Sequence, residues 1–395
     1  MSAFPTSALS TSTVSMSALS ASALSTSAPA VCPQDSAPGA TAVTAVSASR
    51  VHEAPASVLL GRCRDRVRPA LVEAVGRLHP WTGEMAAYAL GWADATGKPD
   101  PDGSEGKGVR QTLAVLGAEA VGADGAVAVP GAVAVELVHT FSLLHDDIMD
   151  ADALRRQRPA VWKAYGTGPG VLAGDALLAQ AVTSLAEAQG HHTAAAVRHL
   201  CRTLNELVSG QAEDLRFEDR PWRGPGAVEP EQYRSMAEHK TGALLGCALA
   251  LGAILGGASD RTVTTLDRAG RHLGLAFQAV DDILGIWGDP RTTGKPVHAD
   301  LRQGKKTYPV LTALAGGGKA AHELAVLLDS GERIDGETAA HAAALVEEAG
   351  GRTGTRREAR RHLDAAHRTL REAPLTHPAA TELDVLFTHL LDRTW

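Results

Sequence analysis

Three carboxylates, Asp146, Asp147 and Asp150, close the apolar stretch Glu136-Leu-Val-His-Thr-Phe-Ser-Leu-Leu-His-Asp-Asp-Ile-Met-Asp150. On an α-helix residues four apart share a face, so Asp146 and Asp150 project together while Asp147 points about 100° away. Two like charges on one face repel. A chain that places them behind Leu and Val either presents a solvated helix end or holds a cation. Oxygen ligands without cysteine suit Mg²⁺, which keeps several waters and binds through one or two carboxylates plus substrate phosphates.

A second acidic helix end, Leu275-Ala-Phe-Gln-Ala-Val-Asp-Asp-Ile-Leu-Gly-Ile-Trp-Gly-Asp289, repeats the pattern. Two such ends, each entered from an apolar helix, imply two facing walls of one cavity, and opposed carboxylates can clamp Mg²⁺ ions that hold a diphosphate between them. Basic residues flank both: Arg155-Arg156 after the first, then Gly294-Lys295 and Lys305-Lys306 after the second, with Lys107 and Arg110 upstream. Guanidinium forks and ammonium groups beside carboxylates, in a chain of formal charge -7, fit phosphate oxygens.

The elements that must position these groups are helical. From about residue 55 onward apolar residues recur at spacings of three and four, with Gly or Pro between runs, and no convincing alternating strand appears. The pattern predicts helices over 56–76, 82–95, 109–122, 127–150, 170–188, 191–210, 230–256, 261–286, 306–315, 320–329, 337–348, 355–373 and about 380–392. With aromatics at 4% and Ala, Leu and Gly abundant, a β-sandwich is disfavoured. The expected fold is all-α: a single large helical bundle around a central active-site cavity, formed by one domain over 55–395. Residues 1–54, rich in Ser, Ala and Thr, read as a disordered tail that lacks both the n-region and h-region of a secretory signal and the Arg content of a transit peptide.

Net negative charge gives no support to nucleic-acid binding, and no apolar run is expected to reach the ~20 residues of a transmembrane span. The four cysteines, Cys32, Cys63, Cys201 and Cys247, form no CxxC pair, which points to free thiols in the cytoplasm. The Arg-rich stretch 355–364 carries interleaved acids and reads as a solvated helix face.

The ordered series Gly106-Lys107…Arg110, Glu136-Leu-Val-His139, Asp146-Asp-Ile-Met-Asp150 with Arg155-Arg156, Gly174-Asp-Ala-Leu177, Gly210-Gln-Ala-Glu-Asp-Leu215, Lys240-Thr241, Phe277-Gln278…Asp281-Asp282, Gly294-Lys295 and Asp300-Leu…Lys305-Lys306-Thr307 resembles the trans-polyprenyl diphosphate synthase family of all-α isoprenoid synthases. The resemblance covers roughly 57–395. It implies Mg²⁺-dependent head-to-tail condensation of isopentenyl diphosphate with an allylic diphosphate such as the dimethylallyl, geranyl or farnesyl compound, in a homodimer. By the same resemblance, Asp146 and Asp150 bind two of three Mg²⁺ ions and Asp281 the third. Arg155, Lys240 and Lys295 contact the allylic diphosphate, and Lys107, Arg110, His139 and Arg156 hold isopentenyl diphosphate. Dipoles near Lys240-Thr241 and Gln278 stabilise the allylic cation, and the departing diphosphate takes the final proton.

Product length is expected to follow from the residues just before Asp146, because in the family the growing chain runs beside this helix. Phe141 is bulky and Ser142, one turn before Asp146, is small. This pattern favours a C20 product, geranylgeranyl diphosphate, over the C15 farnesyl product. A class I terpene cyclase and a non-catalytic subunit of a heteromeric synthase are the remaining rivals; a cyclase would have no use for Lys107, Arg110 and His139 together. Three positions depart from the family: Gln111 where Pro is usual, Gln157 where Gly usually follows the Arg pair, and Gly285 in place of a third acid, leaving Asp281 and Asp282 to carry the second wall alone.

Overall fold

Hydrophobic spacing and punctuation translate into helices in chain order. The computed structural model describes residues 55–101, 103, 105–293, 296–330 and 334–392. The tail 1–54, expected to be disordered, and the candidate phosphate ligand Lys295 lie outside the described residues. The helices are α1 (Ala56–Gly76), α2 (Pro80–Ala89), α3 (Val109–Ala120), α4 (Val129–Met149), α5 (Val161–Tyr165), α6 (Thr167–Ala186), α7 (Thr193–Glu218), α8 (Pro230–Ala237), α9 (Ala243–Leu255), α10 (Asp260–Trp287), α11 (Pro290–Thr293), α12 (Ala299–Arg302), α13 (Tyr308–Gly316), α14 (Gly318–Asp329), α15 (Gly336–Glu348), α16 (Gly351–Leu370) and α17 (His377–Asp392). The fold is all-α, and among the described residues the only sheet is a two-stranded antiparallel hairpin, β1 (Leu154–Arg155) with β2 (Arg158–Pro159).

The main core gathers α1 to α4, α6, α7, α9, α10, α16 and α17. Residues 243–254 of α9 are all buried, and a helix that is apolar all round belongs at a bundle centre. A second core joins the end of α10 to α12 through α15, through Ile286, Leu301, Val310 and Leu324. A third, smaller core of Phe217, Tyr233, Leu275 and Tyr308 lies between the end of α7, α8, α10 and α13.

Several boundaries differ from expectation. The run 230–256 is not one α-helix, because the π-helical segment Glu238–Gly242 divides α8 from α9. The helix expected over 191–210 continues to Glu218. Strands of two residues are too short to show a period, which is why the hairpin after α4 was not foreseen. Two helical stretches, Gly125–Met149 and Thr167–Ala186, are long and apolar enough to cross a membrane by length and composition, contrary to the expectation that no run would reach that length. The first gains its length because a 3-10 turn over Gly125–Ala128 leads directly into α4, and most of it is buried among neighbouring helices.

Candidate active site

The site is a cavity of about 730 Å³ between α4, α7, the π-helical segment and α10. Its lining includes His139, Phe141, Ser142 and Asp146 from α4, Arg110 from α3, Arg155 and Arg156 from the hairpin, Lys240 and Thr241 from the π-segment, and Gln278 and Asp281 from α10. A neighbouring cavity of about 530 Å³ shares Arg155, Lys240, Gln278 and Asp281 with it and adds Lys107, Asp214, Asp282, Asp300 and Lys305. Thus the residues read from sequence converge, with Lys107 on the far side of the shared wall; Asp150 lies at the C-cap of α4 and lines neither cavity.

A π-turn widens a helix by one residue and is frequent at functional sites. Here it sets Lys240 and Thr241 into the cavity, and Gly210 of α7 makes the approach possible: a Cβ at 210 would stand 2.4 Å from the Lys240 backbone nitrogen. Lys240 Nζ donates to Asp214 Oδ2 at 2.5 Å. Burial opposes the Lys240 charge, yet Asp214, Asp146 and Asp150 outweigh it and raise its pKa.

At the first acidic end, Asp146 is pushed up to about 6, first by burial, with Asp150 adding to the shift and Lys240 and Arg155 opposing it. Lys305 Nζ donates to Asp150 Oδ2 at 2.7 Å. Asp147 turns inward, as the helical geometry requires: it is 4% exposed and accepts Arg155 Nε at 3.0 Å. Lysines are seated on Asp150 and Asp214, and a donor set made only of oxygen is the type that suits hard cations.

The second end is built differently. Asp282 is 3% exposed, and its carboxylate accepts from the Tyr233 hydroxyl at 2.8 Å, the Tyr308 backbone N–H at 3.1 Å and Gln278 Nε2 at 2.8 Å. Burial pushes its pKa to about 7 against these three donors. Gly285 does not leave Asp281 and Asp282 to form the wall alone: a Cβ at 285 would fall 1.8 Å from Asp300 Oδ2, so Asp300 of α12 occupies that space and supplies a third carboxylate from a distant segment.

Beyond α4, β1 and β2 are joined through Arg156 and Gln157, both at positive φ (51° and 63°), the pattern of a type I′ turn. The chain therefore uses two non-glycine residues, Arg156 and Gln157, where glycine is favoured. At Gln111, by contrast, the departure from Pro supplies a donor: its backbone N–H reaches Glu136 Oε1 at 3.0 Å, and proline has none. Glu136 is half-buried, and desolvation raises its pKa while Arg110 pulls the other way. His139 is held well below the usual imidazole range, first by burial and then by Arg110, Arg156 and Arg155, so it is neutral near pH 7.

Sequence reasoning gave no role to Asp214, Tyr233 or Asp300. Asp214 was visible as the last acid of Gly210-Gln-Ala-Glu-Asp, whereas Tyr233 and Asp300 become partners of the second wall only through folding across α8 and α12.

The chain is similar to known proteins along most of its length. The model of the family described as polyprenyl synthetase matches residues 102–345. A (2E,6E)-farnesyl diphosphate synthase of Mycobacterium tuberculosis is 42% identical over 339 residues, covering 85% of this chain and 92% of the relative. A geranylgeranyl diphosphate synthase of the same organism is 43% identical over 316 residues, covering 80% and 89%. A crystal structure of polyprenyl synthetase from Streptomyces coelicolor A3(2) superposes with a TM-score of 0.79 at 46% identity, over 85% of this chain and 99% of that one.

Proposed function

The chain belongs to the polyprenyl synthetase family of prenyl chain-elongating transferases, and from that premise we propose that it condenses isopentenyl diphosphate with dimethylallyl, geranyl and farnesyl diphosphates to give geranylgeranyl diphosphate. The observation that carries the reading is the shared wall of the two cavities, where Arg155, Lys240 and Asp281 stand between carboxylates from both acidic ends. Residues 55–395 act in this reading as one catalytic domain, in a cytoplasmic homodimer, which light scattering of the purified chain tests.

The family uses divalent metal, and the proposal assigns three Mg²⁺ ions to Asp146, Asp150 and Asp281. Among the described residues no three acidic, histidine or cysteine side chains form a ready-made ligand group, which suits an ion that completes its shell with water and diphosphate oxygens. When bound, Mg²⁺ neutralises charge on the leaving diphosphate. Arg155, steadied by Asp147, and Lys240, steadied by Asp214, contact the allylic diphosphate, with Lys295 as a further contact. Lys107, Arg110 and Arg156 hold isopentenyl diphosphate; His139, being neutral, offers a hydrogen bond without adding charge. Thr241 and Gln278 present oxygen dipoles to the allylic carbon, and the apolar lining of Leu143, Leu207 and Phe277 excludes water from the cation.

Phe141 supports the C20 assignment. It is 7% exposed, meets the His145 ring edge-on with centroids 4.8 Å apart, and borders the cavity beside Ser142. The C15 product is the second reading, favoured by the farnesyl diphosphate synthase relative. Chromatography of products from Mg²⁺, isopentenyl diphosphate and each primer tests both. Phe141→Ala is expected to lengthen the product by at least one five-carbon unit, and an unchanged product spectrum removes Phe141 as the floor.

A further inference from the structure

The amide of Gln278 can be turned over with little intrinsic preference, so its direction is set by its partners. One partner is Asp282, whose Oδ2 is occupied by two donors from behind and whose Oδ1 faces the amide, which offers it Nε2 at 2.8 Å. The carbonyl then faces Thr241, whose hydroxyl donates to Gln278 Oε1 at 2.7 Å and keeps its lone pairs for the cavity that both residues line. Asp282 is held in turn from behind. Tyr233 on α8, 5% exposed, gives its hydroxyl proton to Asp282 Oδ2 at 2.8 Å, and the Tyr308 backbone N–H meets the same oxygen at 3.1 Å.

We propose that Tyr233 and Asp282 are positioning residues for chain elongation: they fix the Gln278 amide and the Thr241 hydroxyl with their oxygen ends, and not their N–H or O–H ends, toward the allylic carbon. The inference rests on the elongation reading and deepens it. The second carboxylate of the second acidic motif thereby acts through Gln278, with its oxygens already occupied by three protein donors. Without the Tyr233 proton Asp282 loses one of the two donors on Oδ2, and without the carboxylate the amide is free to turn its positive end toward a developing cation. Misdirecting one oriented dipole at a reacting centre typically costs 10²–10³-fold where it is removed outright. A loosened one should cost about 10-fold for Tyr233→Phe and about 100-fold for Asp282→Asn.

The test uses the full chain with Mg²⁺, isopentenyl diphosphate and two primers, geranyl diphosphate and an analogue carrying fluorine on the allylic unit, which makes ionisation harder. For Tyr233→Phe and Asp282→Asn the expected result is a fall in kcat with KM for isopentenyl diphosphate within about twofold, because the dipoles act on the cation and not on the second substrate. The ratio of kcat for the ordinary primer to that for the fluorinated one should also rise. That ratio is independent of how much enzyme is folded, so a variant that is merely less stable leaves it unchanged. An active wild type with an unchanged ratio in both variants overturns the inference alone. A wild type that condenses nothing overturns the elongation reading and the inference with it.

Discussion

The two acidic helix ends resemble each other in sequence but are held in opposite ways. At the end of α4, Asp146 and Asp150 face lysines from other segments, Asp146 borders the cavity and Lys305 donates to Asp150 at 2.7 Å. At the end of α10, Asp282 is sealed among Tyr233, Tyr308 and Gln278, and Asp300 fills the gap left by Gly285. At the first end the partners are ammonium groups from other segments and not packed hydrogen-bond donors. The second is held by protein donors on both oxygens of Asp282. By these contacts the first wall is the more adaptable and the second the more fixed.

Breaking each wall should therefore produce different failures. The largest effect is expected from Asp146→Asn, which should lower kcat by about 10³-fold with little change in thermal stability, because the group lost acts on charge in the reaction and not on packing. Steady-state turnover beside a melting curve checks it. Asp282→Asn should add to its rate defect a stability loss of about 2 kcal/mol, since an amide offers one oxygen to three buried donors and leaves at least one of them without an acceptor. Denaturant unfolding measures it, and a loss for Asp146→Asn equal to that for Asp282→Asn would erase the contrast between the walls.

The third effect concerns the support behind the fixed wall. Arg234 of α8 joins Glu358 of α16 at 2.7 Å, Glu358 faces His362, and His362 Nδ1 meets His272 Nδ1 at 3.1 Å. The His272 pKa is pushed down to about 4, first by burial and then by His362, Arg268, Arg361 and Arg368. A histidine whose folded pKa lies below its unfolded value of about 6.5 binds fewer protons when folded. Its contribution is complete above about pH 6.5 and is lost as pH falls toward 4, and partial solvent screening limits the loss to roughly 1–2 kcal/mol. The change in unfolding free energy between pH 7.5 and pH 5 should therefore differ by this amount between wild type and His272→Gln, which a denaturant series at each pH measures. The smallest effect belongs beside the adaptable wall. Gln157→Gly should stabilise the chain by about 0.5 kcal/mol, because relief of a left-handed side-chain conformation is partly offset by glycine's extra freedom when unfolded.

Much of this was legible in the sequence because helices carry a period. The runs that became α1, α4 and α10 show it to within a few residues, and the acidic motifs sit at the ends of α4 and α10. The break between α8 and α9 was hidden, since π-turns leave the apolar spacing on both sides intact, and it is this break that sets Lys240 and Thr241 into the cavity. Asp147 was placed on a different face from Asp146 by helical geometry alone, but its partner Arg155 could not be, because the hairpin that returns it has strands too short to read. Gly285 read as a missing acid; only the approach of α12 reveals that the residue must be small for Asp300 to stand there.

The most direct test of the account is the chromatographic identity of what the purified chain makes from Mg²⁺, isopentenyl diphosphate and dimethylallyl diphosphate. The account predicts release of inorganic diphosphate and a linear allylic series ending at C20. Absence of diphosphate release, or conversion of geranylgeranyl diphosphate alone into a hydrocarbon, would contradict it.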